Sequence, residues 1–118
     1  NAVANVLVEL QDCKCFYCNK PMRNGNYAVD HFIPWSMYPS DTGHNFVLAD
    51  SSCNSKKSNL LASDEFLHKW QERNEEQNLI IVDRISVLGF LTDKERSHKV
   101  AEWAYSQARE NNYIFFKK

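Results

Sequence analysis

Val29-Asp30-His31-Phe32-Ile33-Pro34 lies between two short pairs of metal-binding residue types: Cys15-Phe16-Tyr17-Cys18 upstream and Asp50-Ser51-Ser52-Cys53 downstream. Each pair has two residues between its ends, and two such pairs from distant segments build a tetrahedral zinc site. The intervening turn points both side chains to one side. Thiolates suit zinc because it is borderline soft. Cys15, Cys18 and Cys53 supply three ligands. Asp50 fits the fourth place by spacing, Cys13 is its softer rival close by, and His44 ranks third. The plainer alternative is a set of free buried thiols; the matched spacing weighs against it. Disulfides are disfavoured, because Cys13, Cys15 and Cys18 would close tiny loops. A metal site in a reducing cytoplasm follows.

Working outward, Val3, Val6, Leu7 and Leu10 predict an amphipathic helix over roughly residues 2–11. Residues 13–23 read as a knuckle, and Asn24-Gly25-Asn26 as a turn. Residues 27–33 form a strand that Pro34 interrupts. Residues 35–45 form a loop with Pro39, Ser40, Asp41 and Gly43 as turn residues. A second strand over 46–49 and a short helix within 51–59 follow. The remainder reads as helical. One helix starts at Ser63 with Phe66, Leu67 and Trp70 inward. Another carries Leu79, Ile81, Val82, Ile85 and Leu88 and stops near Gly89. A last helix opens on a Thr92/Glu95 capping box and buries Val100, Trp103, Ala104 and Ala108. Residues 113–116 are extended. His68 and His98 are expected on exposed helix faces, and Trp35 to pack its loop.

The 118 residues are 43% hydrophobic, which suits one domain with a modest core. The longest purely apolar stretch, Leu79–Val82, is too short to span a bilayer, so no membrane partner is expected. A start at Asn1 rather than Met points to a domain cut from a longer protein. Fourteen Lys and Arg against fifteen Asp and Glu give a net charge of -1. A stand-alone DNA binder usually carries a basic surplus. Action on nucleic acid would therefore rely on a local patch, with other domains or subunits recruiting the chain.

The set C-x-x-C, Asp30-His31-x-x-Pro34, His44-Asn45-Phe46-Val47-Leu48 and Cys53-Asn54-x-x-Lys57 resembles the HNH endonuclease family, also called ββα-metal nucleases, over about residues 15–62. The spacing of His31, Asn45 and Asn54 is also similar to that in the HNH domain of RNA-guided DNA-cleaving enzymes. The resemblance implies an α+β fold. A zinc-stapled ββα-metal core would span 12–62, with an N-terminal helix and a helical extension over 63–118, all in one domain. It implies that His31 is the general base and that Asp30 and Asn54 hold a magnesium or manganese ion through hard oxygens. Asn45 would orient His31, and Lys57, with Lys56 behind it, would contact a phosphate. On a regular strand Asp30 and His31 diverge, so their convergence needs a twist or bulge. The implied activity is DNA phosphodiester hydrolysis, one strand per event, leaving 5′-phosphate and 3′-hydroxyl ends. The rival reading is a non-catalytic zinc-stapled module that binds nucleic acid or protein. The family's usual second cysteine pair is broken here by Asp50.

Overall fold

The computed structural model describes residues 1–23 and 25–118, so the first residue of the expected 24–26 turn lies outside the described residues. The elements run α1 (Ala2–Leu10), β1 (Tyr27–His31), β2 (Phe46–Asp50), α2 (Ser51–Lys57), α3 (Asp64–Glu76), α4 (Asn78–Ser86) and α5 (Lys94–Glu110). The architecture is α+β, with β1 and β2 paired antiparallel in unbroken register from Tyr27↔Asp50 to His31↔Phe46. A 3-10 turn, Gly43–Asn45, leads into β2. β1 stops at His31 rather than continuing to Ile33. There the Asn45 side chain takes over, receiving the Ile33 N–H at 2.8 Å and donating to the Ile33 carbonyl at 2.9 Å.

The knuckle before β1 is fastened from both sides. Asp12 and Cys13 both adopt left-handed backbone (φ 54° and 55°), which reverses the chain after α1. Gln11 then reaches β2: its amide nitrogen donates to the Leu48 carbonyl and its oxygen accepts the Leu48 N–H, both at 2.8 Å. Phe16 N–H adds a bond to the same Leu48 carbonyl at 2.9 Å. Behind the hairpin, Phe32 stacks on the fully buried Trp70 of α3, with centroids 4.9 Å apart. Trp70 and Arg73 also hold the 3-10 turn. The indole N–H and one guanidinium nitrogen donate to the His44 carbonyl, and the other guanidinium nitrogen to the Phe46 carbonyl. Burial pushes the Arg73 guanidinium down to about 10. The C-terminal segment pairs beside Ala62, with Phe116 N–H bonded to the Leu61 carbonyl.

Four expectations for the helices are corrected. Asp93, not Thr92, caps α5, its carboxylate accepting the Arg96 N–H at 3.0 Å. The buried stripe of α5 is Ser97, Ala101, Ala104, Tyr105 and Ala108, and Trp103 is 57% exposed. The small residues of that stripe let the helix approach closely, which turns Trp103 out. On α4 only Ile81 and Ile85 are buried, and Leu79 is 81% exposed. His98 is half-buried, tilted on Trp70 and bonded to Asn74 at 3.2 Å; His68 is exposed, as expected. Trp35 does not pack inward either: it is 53% exposed.

Gly43 sits where the loop meets α4 and the segment before α5. A Cβ there would lie 2.9 Å from Thr92 Cγ2 and 3.0 Å from Ile85 Cγ2. Gly43→Ala should therefore cost about 1–3 kcal/mol of stability in urea denaturation; an unchanged midpoint would contradict the close approach. Burial also holds the His44 and His98 imidazoles below their ordinary range. The unfolded chain, titrating near ~6.5, then binds protons that the folded chain does not. Their contribution is complete above that value and is lost as pH falls toward the folded-state values. Proton NMR should place both C2–H titration midpoints below ~6.5, with the denaturation midpoint dropping across the same window.

Candidate functional site

Two clusters flank α2. The first gathers the sulfur-rich pairs. Cys15 Sγ, Cys18 Sγ, Cys53 Sγ and an Asp50 oxygen all lie within 4.8 Å of one another. The knuckle delivers Cys15 and Cys18, and the junction of β2 with α2 delivers Asp50 and Cys53. Backbone N–H groups of Tyr17 and Asp50 both point at Cys15 Sγ, each at 3.4 Å. Asp50 caps α2, accepting the Cys53 N–H on Oδ1 at 2.7 Å, while Oδ2 accepts the Cys18 thiol at 3.0 Å. Those bonds hold the Asp50 carboxyl below its usual range, whereas burial and neighbouring sulfur push the Cys18 and Cys53 thiols up. A bound dication would offset that penalty by stabilising the thiolate forms of Cys18 and Cys53. The donor set and its spacing fit a tetrahedral soft-metal site, in which bonds of ~2.3 Å to sulfur place ligands about 3.8 Å apart.

The two rival ligands stand elsewhere. Cys13 turns away and donates its thiol to the Met22 carbonyl at 3.3 Å. His44 is fully buried, with Nε2 on Asn78 Oδ1 at 2.8 Å.

The second cluster surrounds Asp30. This carboxylate is 8% exposed. Its Oδ2 accepts the Tyr17 hydroxyl at 2.6 Å and faces Lys57 Nζ at 3.1 Å. Lys57 is fully buried, and its ammonium also donates to the His31 carbonyl at 3.0 Å. Burial lowers the lysine and raises the tyrosine, so the phenol stays a donor to the carboxylate. The expectation that Lys57 presents its charge to a phosphate is thus corrected: its charge is spent inside the fold, on Asp30. Lys56, the next residue back, is exposed. Asn54 is half-buried one helical turn before Lys57, on the same face of α2. Among the described residues its side chain has no hydrogen bond.

His31 belongs to a different environment. Because the register is unbroken, no bulge brings it beside Asp30, and the two side chains share no partner. His31 Nε2 lies 2.7 Å from Asp41 Oδ1. Its ring is flanked edge-on by Trp35 and Phe46, both with centroids at 5.6 Å. It lines an open groove of about 460 Å³ with Val3, Val29, Asp41, Phe46 and Phe90. Asn45, fully buried, closes the intervening loop onto Ile33.

The structure thus joins Asp30 to Lys57 and Tyr17, puts Asn54 one turn before Lys57 on α2, and sets His31 across the strand from Asp30. For a second, hard cation the donor chemistry fits, with carboxylate and amide oxygens on facing elements. The Lys57 ammonium already faces the carboxylate at 3.1 Å, so a cation held there would have to compete with it. Sequence reasoning missed Tyr17 and Asp41. Tyr17 was hidden inside the C-x-x-C pair, and Asp41 was one turn residue among several; a carboxylate ten residues after a histidine carries no distinguishing signal.

Residues 15–63 match the family model described as HNH endonuclease. No curated protein matches the chain. The matched stretch runs from the first thiol of the knuckle to the N-cap of α3 and takes in both clusters; over that stretch the chain is similar to the HNH endonuclease family.

Proposed function

We propose that this chain is a metal-dependent endonuclease unit that hydrolyses DNA phosphodiester bonds, one strand per event, leaving 5′-phosphate and 3′-hydroxyl ends. The observation that carries the reading is the family match over the stretch that holds His31, Asp30, Asn45 and Asn54 together. In this reading Cys15, Cys18, Asp50 and Cys53 hold a structural zinc that fixes the knuckle to α2. Other domains or subunits bring the unit to DNA, since the chain has no basic surplus.

His31, part-exposed on the groove, takes a proton from the attacking water. Asn45 fixes the strand end from which that ring projects. Asp30 and Asn54 would hold a magnesium or manganese ion, which supplies Lewis-acid neutralisation of the phosphate and the leaving oxygen when bound. Lys57 holds the Asp30 carboxylate in place until then, and Lys56 is the lysine left to meet phosphate from solvent.

The buried Asp30–Lys57 pair favours a second reading, a zinc-stapled binding module in which that pair is purely structural. Supercoiled plasmid with magnesium or manganese separates the two. The nuclease should yield relaxed circles before linear DNA, and His31→Ala should slow it by about 100-fold or more. Equal rates in both proteins, or no cleavage by either with any metal, would select the binding module. Metal analysis of untagged protein should find one zinc per chain, lost in Cys53→Ser. Free zinc at 100-fold over its dissociation constant should stabilise the fold by about 2.7 kcal/mol over the chelated protein. A denaturation midpoint indifferent to chelation would remove the zinc.

A further inference from the structure

His31 is held by more than its backbone. Its Nε2 lies 2.7 Å from Asp41 Oδ1, at the mouth of the groove that both residues line. An ionised carboxylate only accepts, so Nε2 carries the proton of that bond. Nδ1 has no hydrogen bond among the described residues and is left with its lone pair. Trp35 and Phe46 flank the ring at interplanar angles of 70° and 65°, which restricts rotation about the strand end.

The backbone around Asp41 is anchored on both sides. Tyr38 places its hydroxyl 3.4 Å from Ser97 Oγ of α5. Thr42 bridges to Leu91, Gly43 N–H donates to the Leu91 carbonyl at 2.8 Å, and Asn45 clamps Ile33. The carboxylate is therefore delivered at a set position by the extension before α5 and by the hairpin together. As a surface ion pair the contact would add at most about 1 kcal/mol of stability. Its effect on ring orientation is separate from that small energy.

We propose that Asp41 is a positioning residue for His31: it fixes the Nε2–H form of the imidazole and its rotamer, and so leaves Nδ1 as the nitrogen that accepts a proton. This rests on the reading of His31 as the base. When water is deprotonated, the new N–H bond forms at Nδ1 and Asp41 stays ionised, facing an imidazolium whose charge it offsets. The hydroxide so formed attacks phosphorus, and the electron pair of the broken P–O bond leaves on the 3′ oxygen.

The test uses the zinc-loaded chain as wild type, Asp41→Ala, Asp41→Asn and Asp41→Glu. In ¹⁵N-histidine-labelled protein, wild type should show a downfield His31 Nε2–H proton protected from exchange with water. It should vanish in Asp41→Ala and return in Asp41→Glu. In plasmid nicking, Asp41→Ala and Asp41→Asn should lower kcat by about 10- to 100-fold. KM should stay level or fall, since losing a carboxylate eases the approach of a polyanion. Asp41→Glu should recover most of the loss, and Asp41→Ala placed on His31→Ala should cost nothing further. If wild type nicks DNA and Asp41→Ala matches its kcat, or the proton signature survives Asp41→Ala, the Asp41 assignment alone falls. If wild type does not cleave with any metal, the nuclease reading falls and takes the role of Asp41 with it.

Discussion

One carboxylate, Asp50, sets the geometry on which the rest is built. It ends β2, caps α2 through Cys53 N–H, and points its second oxygen at the thiols of the knuckle. Strand, helix and knuckle thereby meet at a single residue. A small hairpin and a seven-residue helix bury too little apolar surface to hold that angle unaided. The angle matters because α2 carries Asn54 and Lys57 toward β1, and β1 carries Asp30 and His31. A shift of α2 would separate Lys57 from Asp30 and from the His31 carbonyl in one movement.

The Asp30–Lys57 pair is the least ordinary element of the core. Desolvating two charges is costly, and the return comes only where every remaining donor and acceptor is satisfied. Here Tyr17 supplies a hydroxyl to the carboxylate and His31 a carbonyl to the ammonium. The arrangement satisfies an acidic group inside a small fold through a lysine that shares its helix face with Asn54. A buried lysine at this point ties together two neighbours on β1, the Asp30 carboxylate and the His31 carbonyl.

Much of this was legible from residue spacing. The paired C-x-x-C and D-x-x-C patterns named all four members of the sulfur-rich cluster, because ligand spacing in a turn is a local property. The hairpin and α2 were likewise local, carried by turn residues and by the polar run 51–59. What the sequence hid was set by tertiary packing. Lys57 reads as the phosphate-facing member of a lysine pair, and only the fold reveals that it is buried while Lys56 is exposed. Leu79 and Trp103 sit at helical core spacing yet face outward, because Ile81, Ile85 and a stripe of small residues made the closer contacts. The cap of α5 lay one residue from its expected place, the ordinary scale at which local signals compete.

The Gln11 clamp on Leu48 has a bearing beyond the knuckle. Its side-chain amide donates and accepts like the peptide unit of a neighbouring strand. Together with Phe16 N–H it takes up the outward hydrogen-bonding groups of Leu48 that an incoming polypeptide would need. At that point β2 is therefore closed to sheet extension, and self-association by β-augmentation is blocked there by the Gln11 side chain and the Phe16 N–H rather than by a third strand.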